Sequence, residues 1–427
     1  MIPLYNFLTT LLYPFLFIFL YYRKIIKKED AKRFREKILI SHFNVKRQNN
    51  YNLIWFHAAS IGEYKSILPI IKELNIKNKS LNFLITTTTL SSGNLAEKEL
   101  KAFENVEHRY FPFDVPFLID KFLALWKPNK IFLVDSEIWP NLIIKAKKNK
   151  IPIALINARI TSKSFKRWSL FPNTAKKIFK NFNLCLCSNL ETKNFLKSLD
   201  VSNVFYEGNL KLIVNIYENE INNVNENFLL KRKFWFAAST HKDEEVFCFK
   251  THLELKKKYH NLLTIIAPRH IERVNEIKYL SEKFNLNLQI LNRNEKILNN
   301  KEVVLINYFG SLNSYFKYAK SVFMGKSMIK KLENVGGQNP IEAAMLGCKV
   351  YHGPYVYNFK DVYNFLEKNN ISKKIINYQE LCKNLSKDLE ETDKQINNNA
   401  SPINDIAQKI LVDSMKHINT FLFNENI

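Results

Sequence analysis

Trp55-Phe56-His57-Ala58-Ala59-Ser60-Ile61-Gly62-Glu63 runs from large apolar residues through small ones to a carboxylate. Asn52 to Phe56 is a short apolar and aromatic run of the kind that parallel sheets bury on both faces. Beyond it, Ile67, Leu68, Ile70, Ile71 and Leu74 recur at helical spacing between Tyr64 and Leu74. The stretch therefore reads as a strand, a tight junction and a helix start, and Glu63 falls at the junction. Ligands of open α/β sheets bind beyond the carboxyl ends of the strands, so a charged side chain here is placed to meet one. Spacing alone leaves a second reading open, a first-turn carboxylate that only complements the helix dipole.

The same grammar repeats outward. Phe83 to Thr87 leads into the hydroxyl-rich turn Thr88-Thr89-Leu90-Ser91-Ser92-Gly93, suited to a sugar or phosphate and equally to plain helix capping. Lys130 to Val134 ends in Asp135-Ser136-Glu137-Ile138-Trp139-Pro140-Asn141, where Pro140 fits the first turn of a helix and Glu137 joins Glu63 on one rim. Ile151 to Ile156 and Leu184 to Cys187 supply further strands, and Glu207-Gly208-Asn209-Leu210-Lys211 closes the half. Residues 212–230 are polar and Asn-rich, which reads as a linker.

A second half then begins. Phe234 to Ala238 ends in Ser239-Thr240-His241, Leu262 to Ala267 in Pro268-Arg269-His270, and Val303 to Ile306 in Asn307-Tyr308-Phe309-Gly310-Ser311. After the strand Ser321 to Met324, Gly336-Gly337-Gln338-Asn339-Pro340-Ile341-Glu342 opens a helix. Polar, cationic or glycine strand ends in series are the layout of a nucleotide site. In a chain with only nine glycines, Gly336-Gly337 either frees N–H groups for a phosphate or makes a purely structural turn. Gly325-Lys326-Ser327 is not a P-loop, because Lys320 stands where that motif begins with glycine. The expected organisation is α/β throughout, with domains at 30–211 and 231–427.

Residues 1–29 differ. Met1 to Tyr22 carries no charged side chain, and about 20 apolar residues of helix span a bilayer core. Between Arg23 and Arg47, ten basic residues face Glu29, Asp30 and Glu36, so the positive-inside rule keeps the remainder of the chain on the cytoplasmic side. A cleaved signal peptide is disfavoured because the basic residues come after the apolar run. A helix with Pro14 as a kink, penetrating a single leaflet, stays open. The net charge of +24 implies acidic partners, and no nucleic-acid motif accompanies it. Anionic lipid or a phosphorylated substrate fits as well. Five cysteines without CxxC spacing argue against a disulfide framework or a zinc site.

The segments WFHAASIGE, DSEIWPN, INARIT, GNLK, AASTH, APRH, FGSL and GGQNPIEAA, in this order, resemble the 3-deoxy-D-manno-octulosonic acid (Kdo) transferases of lipopolysaccharide biosynthesis. The resemblance implies a GT-B architecture, two Rossmann-like domains about a central cleft behind an N-terminal membrane anchor. It implies an inverting, metal-independent transfer of Kdo from CMP-Kdo to the 6′ hydroxyl of lipid IVA at the inner membrane, with no cofactor. Glu63 matches the family's general base, and the helix dipole is expected to make it a weaker base. Glu137 and Lys211 match groups that stabilise the transition state. Pro268, Arg269 and His270 match the CMP phosphate loop, Phe309, Gly310 and Ser311 the cytosine loop, and Asn339, Pro340, Ile341 and Glu342 the ribose-contacting helix start. The family's Asp-Thr-Met-Gly-Glu-Leu is here Asn307 to Leu312, and Gln338 replaces a histidine. Two other classes remain as alternatives, a degenerate GT-B scaffold that binds lipid A precursor or protein partners, and a basic nucleic-acid binder.

Overall fold

A computed structural model describes residues 1–43, 52–213, 221–391 and 401–423, and the chain divides into two compact units. Met1–Val214 with Ala407–Ile427 form the first, and Asn215–Ile406 the second.

In the first unit the strands are β1 (Asn52–His57), β2 (Leu81–Thr87), β3 (Val106–Tyr110), β4 (Lys130–Val134), β5 (Ile153–Ala158), β6 (Leu184–Cys187) and β7 (Val204–Tyr206). They form one parallel sheet in the order β3-β2-β1-β4-β5-β6-β7. Leu53 through His57 are all buried, as a strand covered on both faces requires. Phe56 stacks on Phe132 of β4 at 4.6 Å, and Trp55 packs on Phe122 at 4.8 Å. Burying each such ring contributes about 2–3 kcal/mol. Chain order reverses between β1 and β4, so the ends of these two strands flank the topological switch point. Cys185 and Cys187 lie in β6 with buried free thiols, and burial pushes Cys187 up to about 12.

The second unit has β8 (Phe234–Thr240), β9 (Leu263–Pro268), β10 (Leu288–Leu291), β11 (Val303–Ile306), β12 (Ser321–Met324), β13 (Lys349–His352) and β14 (Ser372–Lys374). They also run parallel, in the order β10-β11-β9-β8-β12-β13-β14, with the switch between β8 and β12.

Two expectations change. The apolar N-terminus is not one helix but two, Ile2–Leu11 and Tyr13–Ile25, bent by 55°. Pro14 explains the break, since it lacks an N–H and its ring crowds the carbonyl one turn earlier. Among the described residues no single helix is long and apolar enough to cross a membrane, although the bent pair meets that test by length and composition. One side of the pair docks through Tyr5 Oη to Asp114 Oδ2 (3.0 Å), Tyr13 Oη to the Ile38 carbonyl (2.9 Å) and a buried Leu20, Phe34 and Ile38 cluster. The other side leaves Phe7, Phe15, Ile18 and Ile25 more than 60% exposed.

The second change is the last helix, Ser401–Phe423, which groups from Ala407 with the first unit and not with residues 231–406. Phe421 meets Phe132 edge-on at 5.1 Å, His417 stacks on Phe205 at 3.9 Å, and Lys130 Nζ donates to the Phe421 carbonyl at 2.6 Å. Its apolar face is legible in the sequence, but sequence does not say which sheet covers it.

Close backbone approach fixes one glycine. A Cβ on Gly325 would lie 2.5 Å from the Ser239 carbonyl oxygen and 2.6 Å from Thr240 Cα, while a Cβ on Gly62 would meet nothing within 4 Å. Gly325→Ala is therefore expected to destabilise the second unit by about 1–3 kcal/mol, as overpacking against rigid backbone does. Gly62→Ala is expected to be neutral or stabilising, since alanine is the better helix former. Thermal unfolding of both variants against the parent checks the pair.

Candidate active site

Glu63 is the third residue of the helix Ile61–Lys77, whose N-cap is Ser60. The arrangement is a capping box shifted by one residue. Ser60 Oγ accepts from the Glu63 N–H (3.4 Å), Ala59 N–H donates to Glu63 Oε2 (2.7 Å) and Ser60 Oγ–H to Glu63 Oε1 (2.8 Å). These donors favour the carboxylate. Burial, followed by the nearby Glu137 and Asp135 charges, outweighs them and raises the Glu63 pKa above the ordinary glutamate range. The expectation of a weakened base is thus corrected. The dipole and donors act in that direction, but desolvation and two like charges act more strongly.

Glu137 lies beyond β4 and is held by two ring nitrogens on one oxygen. Trp139 Nε1 donates to its Oε2 at 2.8 Å, and His57 Nε2 lies 3.1 Å from the same atom. His57 is fully buried and stacks on Phe111 at 3.9 Å, which in turn packs on Trp139 at 5.3 Å. Asp135 adopts φ +60° at the end of β4. Its carboxylate is ion-paired with Lys211 Nζ. Asn157 Oδ1 accepts from Leu210 N–H (2.9 Å) and Asn209 Oδ1 from Lys211 N–H (2.9 Å), fixing the backbone that delivers this lysine. Lys211 therefore neutralises Asp135 on the same rim. Asp114 caps the helix Pro140–Lys148 by accepting from Asn141 and Leu142 N–H, both at 2.9 Å, and its burial pushes the carboxyl up to about 6.

In the second unit, Pro268 ends β9 and the exposed Arg269 and His270 come next. Arg269 N–H donates to the Thr240 carbonyl at 2.9 Å, tying the ends of β9 and β8 together. His241 lies edge-on to His270 at 5.5 Å, and burial pushes it down to about 4, with Lys326, His270 and Arg269 adding to the effect. This corner is cationic. Phe309 is exposed, Gly310 sits at φ +83°, and Ser311 is buried at the start of the helix Leu312–Phe316. Asn339 Oδ1 accepts from Ile341 N–H (3.1 Å), Pro340 is the N-cap, Ile341 is buried, and Glu342 stands half-buried in the first turn. That helix, Ile341–Met345, is only five residues long.

Both of the paired glycines have a structural reason. A Cβ on Gly336 would lie 2.2 Å from the Tyr355 carbonyl oxygen, and Gly337 N–H donates to the Lys326 carbonyl at 2.7 Å and is not left for a phosphate. The Gly325-Lys326-Ser327 turn is occupied from inside the protein. Buried Glu244 accepts from the N–H groups of His241 (2.9 Å), Lys326 (2.6 Å), Ser327 (2.8 Å) and Met328 (3.0 Å). Beside it, Glu245 pairs with Arg273 at 3.0 Å and accepts from Thr240 Oγ1 at 2.9 Å. Among the described residues no group of three or more His, Cys, Asp or Glu side chains could hold a metal ion.

A sequence profile of the family described as 3-deoxy-D-manno-octulosonic-acid transferase (kdotransferase) matches residues 32–214. The probable mitochondrial 3-deoxy-D-manno-octulosonic acid transferase of Arabidopsis thaliana is 32% identical over 378 residues, 86% of this chain and 83% of that relative. The chain belongs to the 3-deoxy-D-manno-octulosonic acid transferases. The Aquifex aeolicus transferase is 30% identical over 341 residues, 79% of this chain and 86% of its own. Among solved structures, UDP-GlcNAc 2-epimerase from Neisseria meningitidis bound to UDP-GlcNAc superposes with TM-score 0.57 at 15% identity, covering 85% of this chain and 100% of that one. That likeness is one of fold, two Rossmann-like units of the GT-B kind. As a Kdo transferase the protein is a glycosyltransferase enzyme.

Sequence reasoning passes over several residues of this site. His57 and Trp139 stand inside the segments WFHAASIGE and DSEIWPN without a role, and Asp135 reads only as a strand end. Their signal is membership of the same strand ends as Glu63 and Glu137. Glu244 announces itself only as part of an acidic helix start.

The Glu63 environment fixes the sign of a stability experiment. A carboxyl whose folded pKa is raised binds its proton more tightly folded than unfolded, so stability falls as pH rises from the ordinary glutamate value through the raised one. Glu63→Gln removes that charge, so it is expected to raise the thermal midpoint at about pH 7.5 and to lose this advantage by about pH 4. A Glu63→Gln protein less stable than its parent at about pH 7.5 would return Glu63 to simple helix capping.

Proposed function

We propose that this Kdo transferase moves Kdo from CMP-Kdo to the 6′ hydroxyl of a tetraacyl lipid A precursor, lipid IVA, with inversion at the anomeric carbon and as a step of lipopolysaccharide biosynthesis. The observation that carries the reading is Glu63, a carboxylate at the switch point whose proton affinity is raised by burial, Glu137 and Asp135. A base in such surroundings is better matched to a hydroxyl proton than an ordinary surface glutamate. The acceptor oxygen attacks the anomeric carbon, the bond from that carbon to the CMP phosphate oxygen breaks with its electron pair, and the hydroxyl proton passes to Glu63. The carboxylate of Glu137 and the Lys211 and Asp135 pair supply the fixed charges around the developing cationic sugar.

On the donor side Arg269 is the proposed phosphate ligand, since a guanidinium grips phosphate oxygens in a fork. Pro268 and His270 shape its loop. Backbone at Phe309, Gly310 and Ser311 receives the cytosine, and Asn339, Pro340, Ile341 and Glu342 the ribose. The apolar outer side of the Ile2–Leu11 and Tyr13–Ile25 pair, with Arg23 and Lys24 in its last turn, supports anchoring to the inner membrane from the cytoplasmic side. Phospholipid is then a further partner.

Purified protein incubated with CMP-Kdo and lipid IVA is expected to release CMP and add the mass of Kdo to the lipid. Glu63→Ala is expected to lower kcat by about 10²–10⁴-fold with CMP binding intact. In the parent, kcat is expected to fall as pH drops through the raised carboxyl value, above the usual glutamate range. Full activity of Glu63→Ala refutes the base assignment, and absence of any lipid product refutes the reaction.

A further inference from the structure

We propose that His57 is a positioning residue for this reaction, held in place by Thr86 and Phe111 so that its Nε2–H orients the Glu137 carboxylate. The inference rests on the reading above that Glu137 faces the reacting sugar. His57 closes β1, is fully buried, and lies flat on Phe111 at 3.9 Å with 22° between the rings, which leaves the imidazole no room to turn. Its Nδ1 stands 3.0 Å from Thr86 Oγ1 and 3.2 Å from the Thr86 carbonyl oxygen. Both atoms belong to β2, which pairs with β1 so that His57 and Thr86 are register partners.

The partner at the other end of the ring sets the direction of donation. Nε2 is 3.1 Å from Glu137 Oε2, and a carboxylate has no proton to give, so Nε2–H donates. On the Nδ1 side, Trp55 Nε1 donates to Thr86 Oγ1 at 2.9 Å and holds that hydroxyl against the ring. The contacts therefore run from Trp55 through Thr86 and His57 to Glu137, across β1, β2 and the end of β4.

The consequence falls on Glu137. Two donors meet its Oε2, Trp139 Nε1–H at 2.8 Å and His57 Nε2–H at 3.1 Å, and together they fix the plane of the carboxylate. Neither donor uses Oε1. A purely structural core histidine would need its hydrogen bonds but not this direction of donation.

The test compares kcat and KM for Kdo transfer in the parent, Glu137→Ala, His57→Ala and His57→Gln, with CMP binding and thermal unfolding as folding controls. His57→Ala is expected to lower kcat about 10-fold or more while KM for CMP-Kdo and CMP binding hold, because a hydrogen bond to a charged group is lost. His57→Gln, whose amide N–H can donate to Glu137, is expected to recover most of the kcat. Equal kcat losses in His57→Gln and His57→Ala, or a loss that follows the thermal midpoint, with Glu137→Ala inactive, overturn the proposal and leave the reading of Glu137 standing. A fully active Glu137→Ala overturns both.

Discussion

Burial of the Glu63 carboxylate beside the like charges of Glu137 and Asp135 is the constraint that the rim of the first unit has to meet. Glu63, Asp135 and Glu137 gather where β1 and β4 end, because the parallel order puts the switch point there. Each is met by its own donors. Backbone and hydroxyl groups of Ala59 and Ser60 hold Glu63, Lys211 neutralises Asp135, and the His57 and Trp139 rings hold Glu137. Asp135 also takes a left-handed backbone at φ +60°, which aspartate tolerates better than most residues. A fold selected for stability alone would spread these charges apart. Keeping them together concentrates negative field at the switch point, and desolvation strengthens that field.

The second unit answers the same topology with the opposite sign. At its switch point the buried carboxylate of Glu244 is enclosed by four backbone N–H groups, so the turn that resembles a phosphate cradle is already filled. A ligand phosphate there would have to displace a carboxylate that organises Lys326 to Met328. An exposed cation, Arg269, lies on the neighbouring strand end after β9.

Strands, helix starts and the two-unit division are legible in the sequence because they depend on neighbours within a few residues. Ser60 and Glu63 carry their capping relation in a spacing of three, and Leu53 to Phe56 carry their burial in an unbroken apolar run. What sequence does not show depends on partners far along the chain. The raised proton affinity of Glu63 needs Asp135 and Glu137, more than seventy positions away, and local reasoning from the helix dipole gives the wrong sign. The Lys211 and Asp135 pair, the return of Ser401–Phe423 to the first unit, and the packing of Gly336 against Tyr355 are likewise consequences of topology. The bend at Pro14 is local and readable, while the docking of both helices is not.

That docking reaches the site through one carboxylate. Asp114 accepts from Asn141 and Leu142 N–H, capping the helix that begins directly after Trp139, and it accepts from Tyr5 Oη of the first N-terminal helix. Caps of this kind are worth about 0.5–2 kcal/mol. Asn141 Nδ2 bonds the Asp114 carbonyl at 2.6 Å, so the two segments are tied at both backbone and side chain. The helix start that sets Trp139 against Glu137 is therefore the same point on which the apolar N-terminal pair is seated. Sliding that pair by a turn would take Tyr5 from Asp114 and leave a buried carboxylate short of a donor, so the outward apolar face and the rim of carboxylates are held in one register.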